Sequence, residues 1–340
     1  MRGHILGLGC FVVAVLVAVV PLDGRHAQPS AAASDPPPAT LTTGTDAAAA
    51  VAEPTNRQPT SALPSIVPLP SAPAPRSRGI TPPAPTSASV LLLDDASGGV
   101  LFERNGHQPL APASLTKIAT AIVAIEQSDL EAVADIDVDS RTMRGSTVMG
   151  LEPGDRFSLR DLLYGLMLPS GNDAALAIGR QVAGSDAAFV ARMNDLVARL
   201  GLRDSHFVNP HGLGGAGHVT SAYDLAMLSR YAMRLPAYRE IASADMWVAR
   251  GSRELTLFSL VSTDRWTIPG VDAGKSGYTR AAGRTLVLTA ERDGHRLHVV
   301  VMNDPQTEQV AAALLEWGYA NFEWPTPAAV AAAIASEPAP

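Results

Sequence analysis

Of the 27 prolines in this chain of 340 residues, 14 fall between residues 28 and 86. Proline removes a backbone donor and fixes φ, so continuous helix or sheet is excluded over most of that stretch. Alanine, serine and threonine fill the rest, with almost no aromatic residue. Such composition cannot bury enough apolar surface to offset its own ordering, and it is expected to be a disordered, partly extended linker. The similar Ala/Pro composition of 323–340 predicts a disordered tail. Before the linker, 5–22 is an uncharged apolar run preceded by Arg2 and followed by Asp23-Gly24-Arg25. Residues 1–27 therefore read as a signal peptide or an N-terminal membrane anchor, either of which carries the bulk of the chain out of the cytoplasm. The prolines thus confine the folded domain to 87–322.

Within that window the periodicity changes in a definite order. Residues 89–93 and 100–103 are short apolar runs around Asp94-Asp95-Ala96-Ser97-Gly98-Gly99, the pattern of strand, turn and strand. From 114 to about 241 the spacing is helical. Leu115, Ile118, Ala119, Ile122 and Val123 share one face; Leu159, Leu162, Leu163 and Leu166 share another; Ala222, Leu225, Ala226 and Leu228 a third. Residues 284–291 and 295–302 are β-branched runs joined at Asp293-Gly294, a hairpin signal, and 310–319 reads as a closing helix. Strands at both ends with helices between them predict an α+β fold: an antiparallel sheet assembled from N- and C-terminal strands, with an all-helical region inserted.

The formal net charge is −7, which argues against nucleic acid or an anionic membrane surface as a partner. The one cysteine, Cys10, lies inside the apolar run, so the domain can form neither a disulfide framework nor a cysteine zinc site.

Three short elements carry side chains suited to chemistry. Ser114 stands three residues before Lys117 in Pro112-Ala113-Ser114-Leu115-Thr116-Lys117. On a helix these two share a face, and a lysine with lowered pKa can serve as the base that a serine hydroxyl needs. The same pattern also suits a capping serine beside an exposed lysine. Ser170-Gly171-Asn172 can present a hydroxyl and an amide from one tight loop, or can simply be a turn that caps the helix after it. Lys275-Ser276-Gly277 suits a strand edge that a peptide could approach, or a strand end with a solvated lysine. His206, His211 and His218 fall in a Gly-rich loop without metal-ligand spacing and read as loop residues. Glu152 and Asp155 flank a Pro-Gly turn. Arg284 reads as a solvated strand-end charge.

Taken in order, with 56 residues from Ser114 to Ser170 and 103 from Asn172 to Lys275, the three elements resemble the S-x-x-K, S-x-N and K-T-G set of penicillin-recognising serine enzymes. The segments 112–117, 161–175 (DLLYGLMLPSGNDAA), 193–213 (MNDLVARLGLRDSHFVNPHGL) and 273–283 look like the low-molecular-weight D-alanyl-D-alanine carboxypeptidases. That resemblance covers nearly all of 87–322 and implies a β-lactamase/transpeptidase-like fold. It implies that Ser114 forms an acyl-enzyme with Lys117 as general base, that Ser170 passes a proton to the leaving D-alanine, and that Asn172 binds the substrate amide and orients Lys117. Lys275 would supply positive potential and Ser276 would hold the terminal carboxylate. Beside Gly277, the N–H groups of Ser114 and Tyr278 would form the oxyanion hole. No metal or organic cofactor is implied. The implied partners are a peptidoglycan stem peptide ending in D-Ala-D-Ala and, as covalent inhibitors, β-lactams.

Ser276 departs from the family's usual threonine, keeping the hydroxyl and losing the methyl. Some relatives carry a further C-terminal β-domain with an amphipathic anchor; here membrane attachment is expected from 5–22. The alternatives are a β-lactamase-like hydrolase, a D,D-endopeptidase or transpeptidase on the same fold, and a non-catalytic wall-binding module. No E-x-x-L-N pattern follows Asn172, and the second motif reads S-G-N where class A β-lactamases show S-D-N, so slow β-lactam turnover is expected.

Overall fold

The computed structural model describes residues 65–69, 71–260 and 268–326. The anchor or signal segment at 1–27, the linker from 28 to 64 and the tail from 327 to 340 lie outside the described residues.

Strands β2 (Ser89–Asp94) and β3 (Val100–Arg104) form the first hairpin. Three later strands complete the sheet: β8 (Val271–Thr279), β9 (Gly283–Arg292) and β10 (His295–Met302). The strand order is β3-β2-β10-β9-β8 and every pairing is antiparallel. The sheet is therefore assembled from the two ends of the domain, as the pattern predicts. Pairing of Arg292 with His295 leaves Asp293-Gly294 as a two-residue loop with φ of +51° and +78°, the two positive values that a type I′ turn requires.

Both faces of the sheet are covered, which is why β9 and β10 read as continuous apolar runs. The strand period of two then divides their side chains. Val90, Leu92, Leu288 and Val299 pack with Ala311, Leu314 and Leu315 of the closing helix α7 (Thr307–Asn321). Leu91, Leu93, Val287 and Val300 face the larger core of the helical region. That region comprises α1 (Lys117–Gln127), α2 (Leu159–Met167), α3 (Asn172–Ala183), α4 (Asp186–Arg199), α5 (Ala222–Ala232) and α6 (Pro236–Ser243). Two short hairpins accompany them, β4 (Val133–Asp135) with β5 (Arg156–Ser158) and β6 (Met246–Arg250) with β7 (Glu254–Phe258). Helix α1 is buried from Lys117 to Ala124, because other elements surround it on all sides rather than on one face.

Two expectations at the domain edges are corrected. The linker expected to be disordered through residue 86 is held down in its C-terminal part. Ile66 and Leu69 pack on the helical core, Val67 N–H donates to Tyr231 Oη at 3.2 Å, and Ala72 N–H donates to Ala96 O at 3.1 Å. Strand β1 (Arg76–Ser77) pairs antiparallel with β11 (Phe322–Glu323), and Ile80 N–H donates to Asn321 Oδ1 at 2.8 Å. At the other end Trp324 stacks on His295 and donates to Asp94 Oδ1 at 2.9 Å, so the domain runs past residue 322. Proline forbids helices and central strands, but an extended strap needs only a few donors and a few apolar side chains, and composition averaged over 28–86 conceals both.

Candidate active site

Ser114 is not on the helix proper. It lies in a single 3₁₀ turn, Ala113–Thr116, that leads into α1. A 3₁₀ turn eclipses residues three apart, which brings Lys117 directly over Ser114. Ala113, just before the serine, has φ of +50°, and Ser170 has φ of +60°. Left-handed backbone at non-glycine residues costs about 1–3 kcal/mol each and persists only where the surroundings over-determine it.

Those surroundings are visible. Thr147 Oγ1 donates to Ser170 O at 2.7 Å, Asn172 N–H to Thr147 O at 3.0 Å, and Gly171 N–H to Gly165 O at 2.9 Å. Asp173, fully buried, accepts from the N–H groups of Met149, Gly150, Leu151 and Ala174 at 2.8–2.9 Å. It thereby ties the 147–151 loop to the start of α3.

Lys117 Nζ has three neighbours: Ser114 Oγ at 3.0 Å, Asn172 Oδ1 at 2.7 Å and the His211 carbonyl at 2.8 Å. Burial, then the charge of Lys275, holds its ammonium well below the usual lysine range against a smaller opposing pull from Asp173. A neutral amine has two N–H bonds and one lone pair. Asn172 Oδ1 and the His211 carbonyl are pure acceptors and take the two N–H bonds, so the lone pair is left for the Ser114 hydroxyl proton. The neutral amine is thus placed to accept the Ser114 hydroxyl proton.

Across the cleft, β8 is the edge strand of the sheet. Its Lys275 is buried and donates to Ser170 Oγ at 2.9 Å and to Ser276 O at 2.8 Å. Burial pushes Lys275 down to about 7. A Cβ added to Gly277 would lie 2.9 Å from Ser114 N and 2.7 Å from Thr285 Oγ1, so only glycine lets β8 approach the serine turn. Thr285 reaches back to the Pro112 carbonyl at 3.3 Å and holds the two elements together.

The cleft between these walls has a volume of about 480 Å³. Ser114, Ser170, Asn172, Ser276, Gly277 and Tyr278 all line it, and Lys117 and Lys275 lie directly behind. All eight residues singled out in the sequence therefore meet at one place. Tyr278 stands at the rim, 70% exposed. Arg284, expected to be a solvated strand-end charge, also lines the cleft and pairs with Glu308 at 2.9 Å. Asp155 and Glu152 form the expected turn, with Asp155 also paired to Arg253 at 2.8 Å.

Several contributors were not assigned a site role from the sequence. His211 acts through its backbone carbonyl, which any residue type could supply, so no signal exists. Asp173 follows the second motif directly; the helix cap is Gly171, and the Asp173 carboxylate serves the neighbouring loop. His218 is buried, with Nε2 2.8 Å from Thr116 Oγ1, under the serine turn.

A serine beside a buried lysine, next to a glycine-bearing edge strand and under an inserted helical region, is the arrangement of the penicillin-binding fold. Solved structures agree. The D-alanyl-D-alanine carboxypeptidase of Mycobacterium tuberculosis matches with a TM-score of 0.67 at 32% identity, over 74% of this chain and 97% of that one. The Streptomyces K15 DD-transpeptidase matches with a TM-score of 0.65 at 25% identity, over 71% of this chain and all of that one. Residues 77–306 match the D-alanyl-D-alanine carboxypeptidase family, peptidase S11, and the chain belongs to that family. It is 36% identical to the D-alanyl-D-alanine carboxypeptidase DacD of Salmonella typhimurium over 255 residues, covering 71% of this chain and 65% of that protein's length. It is 35% identical to DacB2 of Mycobacterium tuberculosis, with 68% and 81% covered.

Proposed function

We propose that this protein is a serine D-alanyl-D-alanine carboxypeptidase that removes the terminal D-alanine from peptidoglycan stem pentapeptides. The observation that carries the reading is the hydrogen-bond count at Lys117: two acceptors for two N–H bonds, and a lone pair facing the Ser114 hydroxyl 3.0 Å away.

The peptide enters along the outer edge of β8. Its terminal carboxylate meets the Ser276 hydroxyl and the positive potential of Lys275. Lys117 takes the Ser114 proton as Oγ attacks the carbonyl carbon of the penultimate D-alanine. The N–H groups of Ser114 and Tyr278 receive the developing oxyanion, a contribution for which removal of one donor costs about 10²–10³-fold in rate. The C–N bond then breaks. The departing amine receives the proton that Lys117 took, relayed through the Ser170 hydroxyl, which Lys275 Nζ holds in place, and Lys117 is neutral again. A water molecule next attacks the ester carbonyl and gives a proton to Lys117, which passes it to Ser114 Oγ as the ester C–O bond breaks, leaving free Ser114 and a peptide one D-alanine shorter. Asn172 orients Lys117 through its carboxamide oxygen and offers its NH₂ to the substrate backbone. β-Lactams enter by the same attack and remain as long-lived esters. The substrate lies outside the cytoplasm, and the apolar run at 5–22 supports export.

The test is incubation of the purified protein with a pentapeptide ending in D-Ala-D-Ala, with and without an acceptor amine, and weighing of the products. Release of free D-alanine with a tetrapeptide as partner product is the expected result, and it is expected to vanish in Ser114→Ala. Amine adducts in place of the tetrapeptide would make the protein a transpeptidase. A folded wild-type protein that neither cleaves the peptide nor is acylated by labelled penicillin would refute the enzymatic reading altogether.

A further inference from the structure

Resting on the acyl-enzyme reading above, we propose that His218 and Thr116 are positioning residues that aim the Ser114 backbone N–H into the cleft. Neither lines the cleft, and both are buried.

Proton counting fixes the direction of each bond beneath the serine turn. Val208 N–H donates to His218 Nδ1 at 3.0 Å. A backbone N–H can only donate, so Nδ1 must accept, and the proton of the neutral ring sits on Nε2. Burial, then His206, holds the imidazole down to about 4, so this neutral tautomer persists at neutral pH. Nε2–H therefore donates to Thr116 Oγ1, 2.8 Å away. Thr116 has one hydroxyl proton, and it goes to the Ala113 carbonyl at 2.8 Å. The result is a directed chain: Val208 N–H to His218, His218 to Thr116, Thr116 to Ala113 O.

Ala113 O and Ser114 N–H belong to the same peptide unit. That unit is planar and trans, so its carbonyl and its N–H point in opposite directions. Fixing the carbonyl on the buried side fixes the N–H on the cleft side, where Gly277 abuts Ser114 N. Without such a hold the peptide is free to rotate, because Ala113 at φ of +50° lies in a region that non-glycine residues favour poorly. A second contact presses on the same carbonyl. Gly212, at φ of +90°, lies so close that an added Cβ would come within 1.8 Å of Ala113 O. Asn209 shapes that approach by accepting from Gly212 N–H at 2.7 Å. The 206–219 loop thus acts on catalysis from beneath the nucleophile, through a carbonyl and not through any atom the substrate touches.

The experiment uses the full chain and a fluorescent penicillin in stopped flow, which separates the dissociation constant of the noncovalent complex from the acylation rate constant. Thr116→Val removes the hydroxyl at nearly constant volume, and His218→Ala removes the donor to it. Both are expected to acylate about 10–100-fold more slowly, since a misaimed oxyanion donor loses part of what its removal would lose. The noncovalent dissociation constant is expected to stay within about twofold of wild type. Thr116→Ser, which restores the hydroxyl, and His218→Gln, which restores a side-chain N–H donor, are expected to recover most of the rate. The inference is overturned if folded Thr116→Val acylates within about twofold of wild type, if the loss lies in affinity instead of rate, or if Thr116→Ser is as slow as Thr116→Val. Should His218→Ala fail to fold, the Thr116 pair decides alone. Wild type that is itself not acylated would defeat the underlying enzymatic reading, and that outcome is distinct from all of these.

Discussion

Lys275→Met tests whether burial of the motif lysine is maintained at the expense of stability. Lys275 is 1% exposed, and burial drives it from 10.5 to about 7. Between those values the unfolded chain holds a proton that the native state does not, so native stability rises with pH by about 1.4 kcal/mol per pH unit. The destabilisation is absent above 10.5 and grows as pH falls, reaching about 5 kcal/mol at about pH 7. Methionine has no such titration. The loss of hydrogen bonds to Ser170 Oγ and Ser276 O adds a penalty to the variant, but that penalty does not depend on pH. Burial of Lys117, the largest cause of its lowered pKa, is common to both proteins, so the difference between them reports chiefly the Lys275 step. Urea unfolding at pH 7, 8, 9 and 10 therefore should show wild type gaining on Lys275→Met at close to the one-proton slope. Peptidase activity of the variant should be lost throughout. A stability difference that stays flat across that range would refute the claim that the fold holds this lysine in an unfavourable environment.

Gly277→Ala should keep the fold but lower penicillin acylation about 100-fold, because its Cβ would push β8 away from Ser114 N, 2.9 Å distant, where an oxyanion donor belongs; stopped-flow labelling checks this. Asp173→Ala strands four backbone N–H groups and should cost about 3–5 kcal/mol, read as a fall in urea midpoint. A chain beginning at residue 87 should melt several degrees below one beginning at residue 65, since it lacks Ile66, Leu69 and the β1–β11 pairing; calorimetry of the two decides.

The residues that meet in the cleft were legible because the proposed chemistry demands particular side chains in a particular chain order. The roles proposed for Ser114, Lys117 and Asn172 require a hydroxyl, an amine and an amide, and those letters stand out in the sequence. The β9–β10 hairpin was legible for a similar reason, since two successive positive φ values select Asp293-Gly294. The sequence was silent where function runs through the main chain. The His211 carbonyl that accepts from Lys117 has no residue preference, and the histidine at 218 is distinguished from a loop histidine only by its contact with Thr116 Oγ1. The strap at 65–80 was hidden by its neighbours, because two apolar side chains and a handful of N–H groups barely alter the average of a proline-rich stretch.

The exposed edge of β8 has a consequence beyond catalysis. An unpaired strand edge is normally a hazard, since it templates further strands from other molecules. Here the wall carrying Ser146, Thr147, Ser170 and Asn172 stands opposite that edge and leaves a slot of about 480 Å³. That wall occupies the side on which a further strand, about 4.8 Å from β8, would have to be added. The same wall that narrows the cleft therefore keeps the sheet from growing.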